Sequence, residues 1–97
     1  RAVGPTLAAF GVSSALIDPI LTIYSGQSIV ATNDRWAVGE NVAALTAASA
    51  GAGAFNLAAN SEDAALLITL RPGPYTVEVK GKDGGEGVAL LEIYEVP

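Results

Sequence analysis

The sequence predicts an all-β domain: an antiparallel β-sandwich, jelly-roll-like, with one short helix around residues 42–50. Three observations predict it. Short runs alternate apolar and polar residues, most cleanly in Tyr75-Thr76-Val77-Glu78-Val79-Lys80. Turns rich in glycine, proline, asparagine and aspartate separate these runs. A single stretch, residues 42–50, carries apolar side chains at helical spacing. Strands at short regular intervals with one small helix imply two packed antiparallel layers. A chain of 97 residues buries one core and is too short for two, so residues 1–97 read as a single module.

Residues 1–7, RAVGPTL, open with a short extended piece closed by Gly4-Pro5. Proline disfavours the α region for the residue before it and brings no amide to a ladder, so this piece reads as a strand end or an edge. With only Ala2 and Val3 ahead of the breaker, the strand is incomplete as it stands. Residues 7–16 read as one loose helical turn or a coil, with Gly11 and Ser13-Ser14 favouring loop, and Phe10 and Val12 are expected to reach the core. Residues 18–34, DPILTIYSGQSIVATND, carry a β-hairpin signal. Leu21 and Ile23 fall on one side of the first strand, Thr22 and Tyr24 on the other; Ser25-Gly26-Gln27-Ser28 supplies the turn and residues 29–32 return. Two strands alone are marginal in water, so this hairpin needs partners further along the chain.

Asn41 reads as the N-cap of the helix and Gly51 as its stop, with Val42, Leu45 and Ala48 or Ser49 on one face. Phe55 and Leu57 are expected as plugs over one end of the core. Ser61-Glu62-Asp63 has the composition of a helix cap. Residues 65–70, ALLITL, and 75–80 read as two strands joined by the Arg71-Pro72-Gly73-Pro74 turn. Tyr75, Val77 and Val79 then face inward, and Thr76, Glu78 and Lys80 face water. Residues 81–87 form a glycine-rich hairpin loop, and residues 88–96, VALLEIYEV, the closing strand. Ala89, Leu91 and Ile93 make one of its faces; the other, with Val88, Leu90, Glu92 and Tyr94, is more apolar than a solvated face should be. A helix, a loop or another chain must cover it.

Composition narrows the chemistry. The chain has no cysteine, histidine or methionine, which removes disulfide scaffolds, thiolate zinc sites and imidazole bases or ligands together. Net charge is -5, and the basic residues Arg1, Arg35, Arg71, Lys80 and Lys82 are scattered, so nucleic acid and anionic membrane surfaces are poor partners. No apolar run approaches the ~18 residues of a membrane helix, so no membrane insertion is expected. An opening at Arg1 without an initiator methionine reads as a processed product or a fragment, which favours export.

Candidate sites are few. Asn33 and Asp34, with Asp18 or Glu40, offer oxygens to calcium, but asparagine and aspartate in a turn ordinarily bond their own backbone. Lys82-Asp83-Gly84-Gly85-Glu86-Gly87 lacks calcium-loop spacing and the G-K-[ST] ending of a phosphate loop, and reads as a turn. Trp36, the sole tryptophan, offers a stacking face to a sugar ring; its apolar area favours burial as a lid over one end of the sandwich. No pair of carboxylates is patterned for acid and base roles. Ser13, Ser14, Ser25, Ser28, Ser49 and Ser61 have no histidine to activate them, and no Ser-x-x-Lys occurs. The expectation is a non-enzyme with no catalytic, cofactor-binding or metal-ligating residue.

Three stretches carry a family resemblance: RAVGPTL (1–7), DPILTIYSGQSIVATND (18–34), and LRPGPYTVEVK (70–80) with its follow-on 87–95. Together they resemble the repeated β-sandwich modules of large secreted and surface proteins of bacteria. The second and third are also similar, distantly, to the bacterial pre-peptidase C-terminal domain. In both groups a D-P-x-L-x-[LI]-Y strand, an A-T-N-D turn and an L-x-P-G-x-Y-T-V-x-V hairpin recur. Here they are Asp18-Pro19, Leu21, Ile23-Tyr24, then Ala31 to Asp34, then Leu70, Pro72-Gly73, Tyr75 to Val77 and Val79. The resemblance covers the chain apart from roughly residues 37–60.

It implies a non-catalytic extracellular or cell-surface module, structural or adhesive, either a bead of a larger surface protein or a subunit of a filament. A strand missing from this chain would be supplied by a neighbouring module or subunit, and self-assembly would proceed by β-strand pairing. The implied partners are copies of itself, as oligomer or polymer, or adjacent modules of the same chain. The alternative expectation is a carbohydrate-binding module of a secreted protein, calcium-assisted, recognising polysaccharide through Trp36.

Overall fold

The structure, a computed structural model, describes residues 1–39 and 41–96. The hairpin expected over residues 18–34 forms, as β2 (Pro19–Ser25) and β3 (Ser28–Asn33). β2 then pairs on its other side with β4 (Thr76–Gly81), so the order of this sheet is β3-β2-β4 and both pairings are antiparallel. With both of its edges paired, β2 is the centre of this sheet, and it buries Pro19, Leu21, Thr22 and Ile23. Thr22, the polar member of that set, keeps its hydroxyl satisfied by Thr32 Oγ1 directly opposite on β3, at 3.1 Å. The register slips between Ile23 and Tyr24, whose partners are Ala31 and Ile29, leaving Val30 as the extra residue of a bulge.

The second sheet is small. β1 (Ala2–Val3) pairs antiparallel with β5 (Leu90–Leu91), and on its other side Ala2 bridges to Ala64. Ala2 and Ala64 meet Leu21 of the larger sheet in a buried apolar cluster, with Leu66, Val77 and Val79 packed against it. Alanine at both contact points brings the two sheets close there. The chain approaches itself equally closely at Gly4, where a Cβ would stand 2.1 Å from the carbonyl oxygen of Leu16. Only glycine fits that crossing.

Several expectations need correction. Residues 65–70 do not form a strand; beyond the single bridge at Ala64 they run without a ladder partner. Of the expected closing strand 88–96, only Leu90–Leu91 pairs as a strand, with one further parallel bridge from Val88 to Ala15. Apolar alternation fits both stretches to a sheet, but a strand exists only where a second backbone lies alongside. The loop after Gly4 contains a 3-10 helix, Pro5–Phe10, started by proline at its first turn. Phe10 does not reach the core: it is 62% exposed and rests against Phe55, ring centroids 5.0 Å apart. The glycine-rich stretch includes a 3-10 turn, Lys82–Gly84.

Helix α1 (Val42–Gly51) forms where expected and begins at the expected residue, but it does not stop at the expected one. Asn41 occupies the N-cap without a side-chain hydrogen bond. The chain leaves the helix at Gly53 (φ 78°), not Gly51: Gly53 N–H donates to Ala50 O and Ala54 N–H to Ser49 O, the two bonds of a Schellman ending. An alanine-rich helix has no strong apolar stripe to bury, and none of its residues is fully buried. Among the described residues, no helix is long and apolar enough to cross a membrane.

Candidate functional site: an open cleft between the sheets

Two polar anchors position the walls of the cleft. The first is centred on Asp63, which is fully buried. Its Oδ1 accepts from Gly4 N–H (2.8 Å) and Thr6 N–H (3.2 Å), and its Oδ2 from the hydroxyls of Thr6 (2.5 Å) and Ser61. Asp63 thereby caps the Pro5–Phe10 helix from a distant part of the chain. The network spreads: Thr6 Oγ1 accepts from Ala58 N–H (2.8 Å), Ser61 Oγ from Trp36 Nε1–H (3.0 Å), and Asp63 O from Trp36 N–H (2.9 Å). A buried carboxylate accepting this many donors ties the 1–7 segment, the Trp36 loop and the 58–64 segment into one unit.

The second anchor is Arg1 with Glu92. Their backbones exchange both hydrogen bonds, Arg1 N–H to Glu92 O at 2.8 Å and Glu92 N–H to Arg1 O at 2.9 Å. Their side chains form a largely buried ion pair, Nε to Oε1 3.0 Å, in contact but not aligned as a hydrogen bond. The guanidinium also donates to Phe55 O (2.8 Å) and lies 4.8 Å from the Phe55 ring centroid. Burial lowers the pKa of the Arg1 amino group; the guanidinium pushes the same way and the Glu92 carboxylate opposes it. Tyr94 donates to Glu92 Oε2 at 2.7 Å, and that hydrogen bond is the main cause of a raised phenol pKa.

Between these anchors the sheets splay apart. A cleft of about 470 Å³ opens with Leu21, Ile23 and Val77 of the larger sheet on one side, residues 66–70 and 91–96 along two edges, and Leu45 and Ala48 of α1 contributing. Its walls are incompletely covered: Leu67 is 40% exposed and Ile93 74%. Among the described residues, neither 66–70 nor 93–96 makes a backbone hydrogen bond. The cleft therefore combines bare aliphatic side chains with two lengths of unpaired backbone. The ionisable groups in its lining, Arg1, Glu92 and Tyr94, are joined to one another through the Arg1–Glu92 ion pair and the Tyr94–Glu92 hydrogen bond.

The residues singled out in the sequence fall elsewhere. Asn33 turns its amide inward, Oδ1 accepting from Ala65 N–H (3.0 Å) and Nδ2 donating to Arg35 O (3.1 Å). Asp34 pairs with Lys82 Nζ at 3.3 Å. Glu40 lies outside the described residues, and no three carboxylates converge among those described. Trp36 is half-buried beside a smaller cavity of about 310 Å³ shared with Leu45, Phe55 and Leu57. Its indole N–H is taken up by Ser61. Val88, Leu90 and Tyr94, expected to need a cover, are exposed in the single chain. Asp63 was legible only as a cap-forming residue; the helix that it caps was not.

Comparison with protein-family models, with curated proteins and with solved structures finds no match for this chain. What the geometry defines is a small β-rich fold of two antiparallel sheets and one short helix.

Proposed function

We propose that this chain is a non-catalytic structural or adhesive module of the β-sandwich type, from an extracellular or cell-surface protein. It associates with a neighbouring module or subunit by β-strand pairing. One observation carries the reading: the cleft between the sheets is walled by apolar side chains and by backbone with no ladder partner, on both of its strand-like edges. Unpaired edges beside exposed aliphatic surface favour strand addition, where main-chain hydrogen bonds supply affinity and side-chain pockets supply selectivity. The resemblance of residues 1–7, 18–34, 70–80 and 87–95 to bacterial surface modules agrees with it and suggests the compartment.

Sedimentation across a wide concentration range, with electron microscopy of the same material, tests the reading. Concentration-dependent oligomers or filaments are expected. A sharp monomer at the highest concentration, with no added strand able to bind, overturns it.

A further inference from the structure

We infer that the cleft is a vacant strand position in the middle of the smaller sheet. It accepts one extended polypeptide strand from outside these 97 residues, running in the direction of β1 and ending against Arg1. The inference rests on the proposed strand pairing and gives it a direction, a register and a side-chain pattern.

The ladders already begun at β1 fix all three. On one side Ala2 and Ala64 exchange both backbone hydrogen bonds, at 2.8 and 3.0 Å; on the other Arg1 and Glu92 do the same. Both neighbours run antiparallel to β1. Both continue past the place where β1 begins, as 65–70 and 93–96, without a turn or bend. Extending the registers outward places the first strand residue before Arg1 opposite Leu66 and Ile93, the second opposite Leu67 and Tyr94, and so on. A strand rises about 3.3 Å per residue, so the flanks accommodate about five residues.

Facing follows from the period of two. Ala2 points at Leu21 in the buried cluster, so the first, third and fifth residues counted back from Arg1 point at Leu21, Ile23 and Val77 and must be apolar. Hydrogen-bonded pairs alternate in an antiparallel ladder. The incoming strand therefore bonds the amides of Leu66, Ile68 and Leu70 on one edge and of Tyr94 and Val96 on the other. The amides of Leu67, Thr69, Ile93 and Glu95 point away from it. Direction is equally constrained: β1 itself blocks one end of the slot, so the occupant arrives with its C-terminal end there.

The probe is a five-residue strand with valine at the first, third and fifth positions and threonine between, compared with the same composition shifted by one residue. Each is supplied free in solution and, to raise its effective concentration, joined to Arg1 through a peptide bond. Hydrogen exchange and thermal midpoint are read on the whole chain. In the joined form, the in-phase strand is expected to slow exchange at Leu66, Ile68, Leu70, Tyr94 and Val96 at least tenfold and to raise the midpoint, with Leu67, Thr69, Ile93 and Glu95 unchanged. Equal protection by both phases overturns the register. Protection of the same amides in the unmodified chain as its concentration rises assigns the slot to a second copy and overturns an outside occupant. Oligomers that persist while the joined strand protects nothing overturn this inference and leave the proposed strand association standing. A monomer under all conditions that binds neither strand removes both.

Discussion

Replacing Asp63 tests the claim that one buried carboxylate holds three separate segments together. In Asp63→Ala, the amides of Gly4 and Thr6 lose their acceptor inside a closed region, at about 1–3 kcal/mol each. The hydroxyls fare better, since Thr6 Oγ1 keeps the Ala58 amide and Ser61 Oγ keeps the Trp36 indole. The expected loss is therefore about 3–5 kcal/mol, a large part of the 5–15 kcal/mol typical of a domain. Asp63→Asn preserves shape, and its carbonyl still serves both amides while the two hydroxyls rotate to accept from the new NH₂. It forfeits the charge-assisted component and should cost about 1–2 kcal/mol. Urea titration of the three proteins, with equal slopes confirming a common transition, gives both numbers. A loss below about 1 kcal/mol for Asp63→Ala, or an equal loss for the two variants, refutes the account of the network.

Other expectations are simpler. Gly4→Ala forces a methyl group to within 2.1 Å of the Leu16 carbonyl oxygen, and since backbone must move to relieve it, the loss should be about 3 kcal/mol or more; a change under about 1 kcal/mol in thermal or urea unfolding contradicts the crossing. Trp36→Phe removes the donor to Ser61 while keeping most of the apolar lid, and should cost about 1 kcal/mol, whereas Trp36→Ala should cost about 3–5 kcal/mol. A Trp36→Ala variant of unchanged stability that has lost affinity for a polysaccharide favours the carbohydrate-binding alternative. Tyr94 should ionise above its ordinary value of about 10, because its hydroxyl donates to Glu92. A phenol pKa raised by folding gives a stabilisation present below the unfolded value and lost as pH rises through the folded one, so the effect lies entirely in the alkaline range. Glu92→Gln should lower the Tyr94 pKa, read as phenolate absorbance with Tyr94→Phe as the reference; an unmoved titration rules out the hydrogen bond in solution.

Where the sequence was legible, both members of an interaction lay within the chain and close to a turn. The 18–34 hairpin is such a case: alternation set the faces, turn residues set the ends, and the neighbouring backbone was there to pair. The 76–81 strand forms where its alternation predicts, but its partner is the distant β2 and not residues 65–70 across the Arg71–Pro74 turn. Asp63 was illegible for the opposite reason. Its donors sit on Gly4 and Thr6, nearly sixty residues away by the separations of 59 and 57, and no local pattern ties an aspartate to them. The helix ending at Gly53 was misplaced because Gly51 and Gly53 both qualify by composition, and only the hydrogen bonds of the last turn distinguish them.

The stretches 65–70 and 88–96 failed differently, and the failure has physical content. Apolar alternation reports what a segment needs to bury; it does not report whether the partner that buries it belongs to the same chain. Both stretches carry strand-forming composition, both remain extended beside β1, and both leave aliphatic side chains such as Ile93 in contact with water. Local preference and tertiary structure ordinarily agree in a sequence that specifies its fold unaided. Here they disagree at two segments that flank one cleft, in registers set by the same two-residue strand. The strand inferred above would reconcile both disagreements at once, pairing each flank and covering Leu21, Ile23 and Val77 with the same insertion. Two unrelated misreadings would have no reason to face each other across one gap.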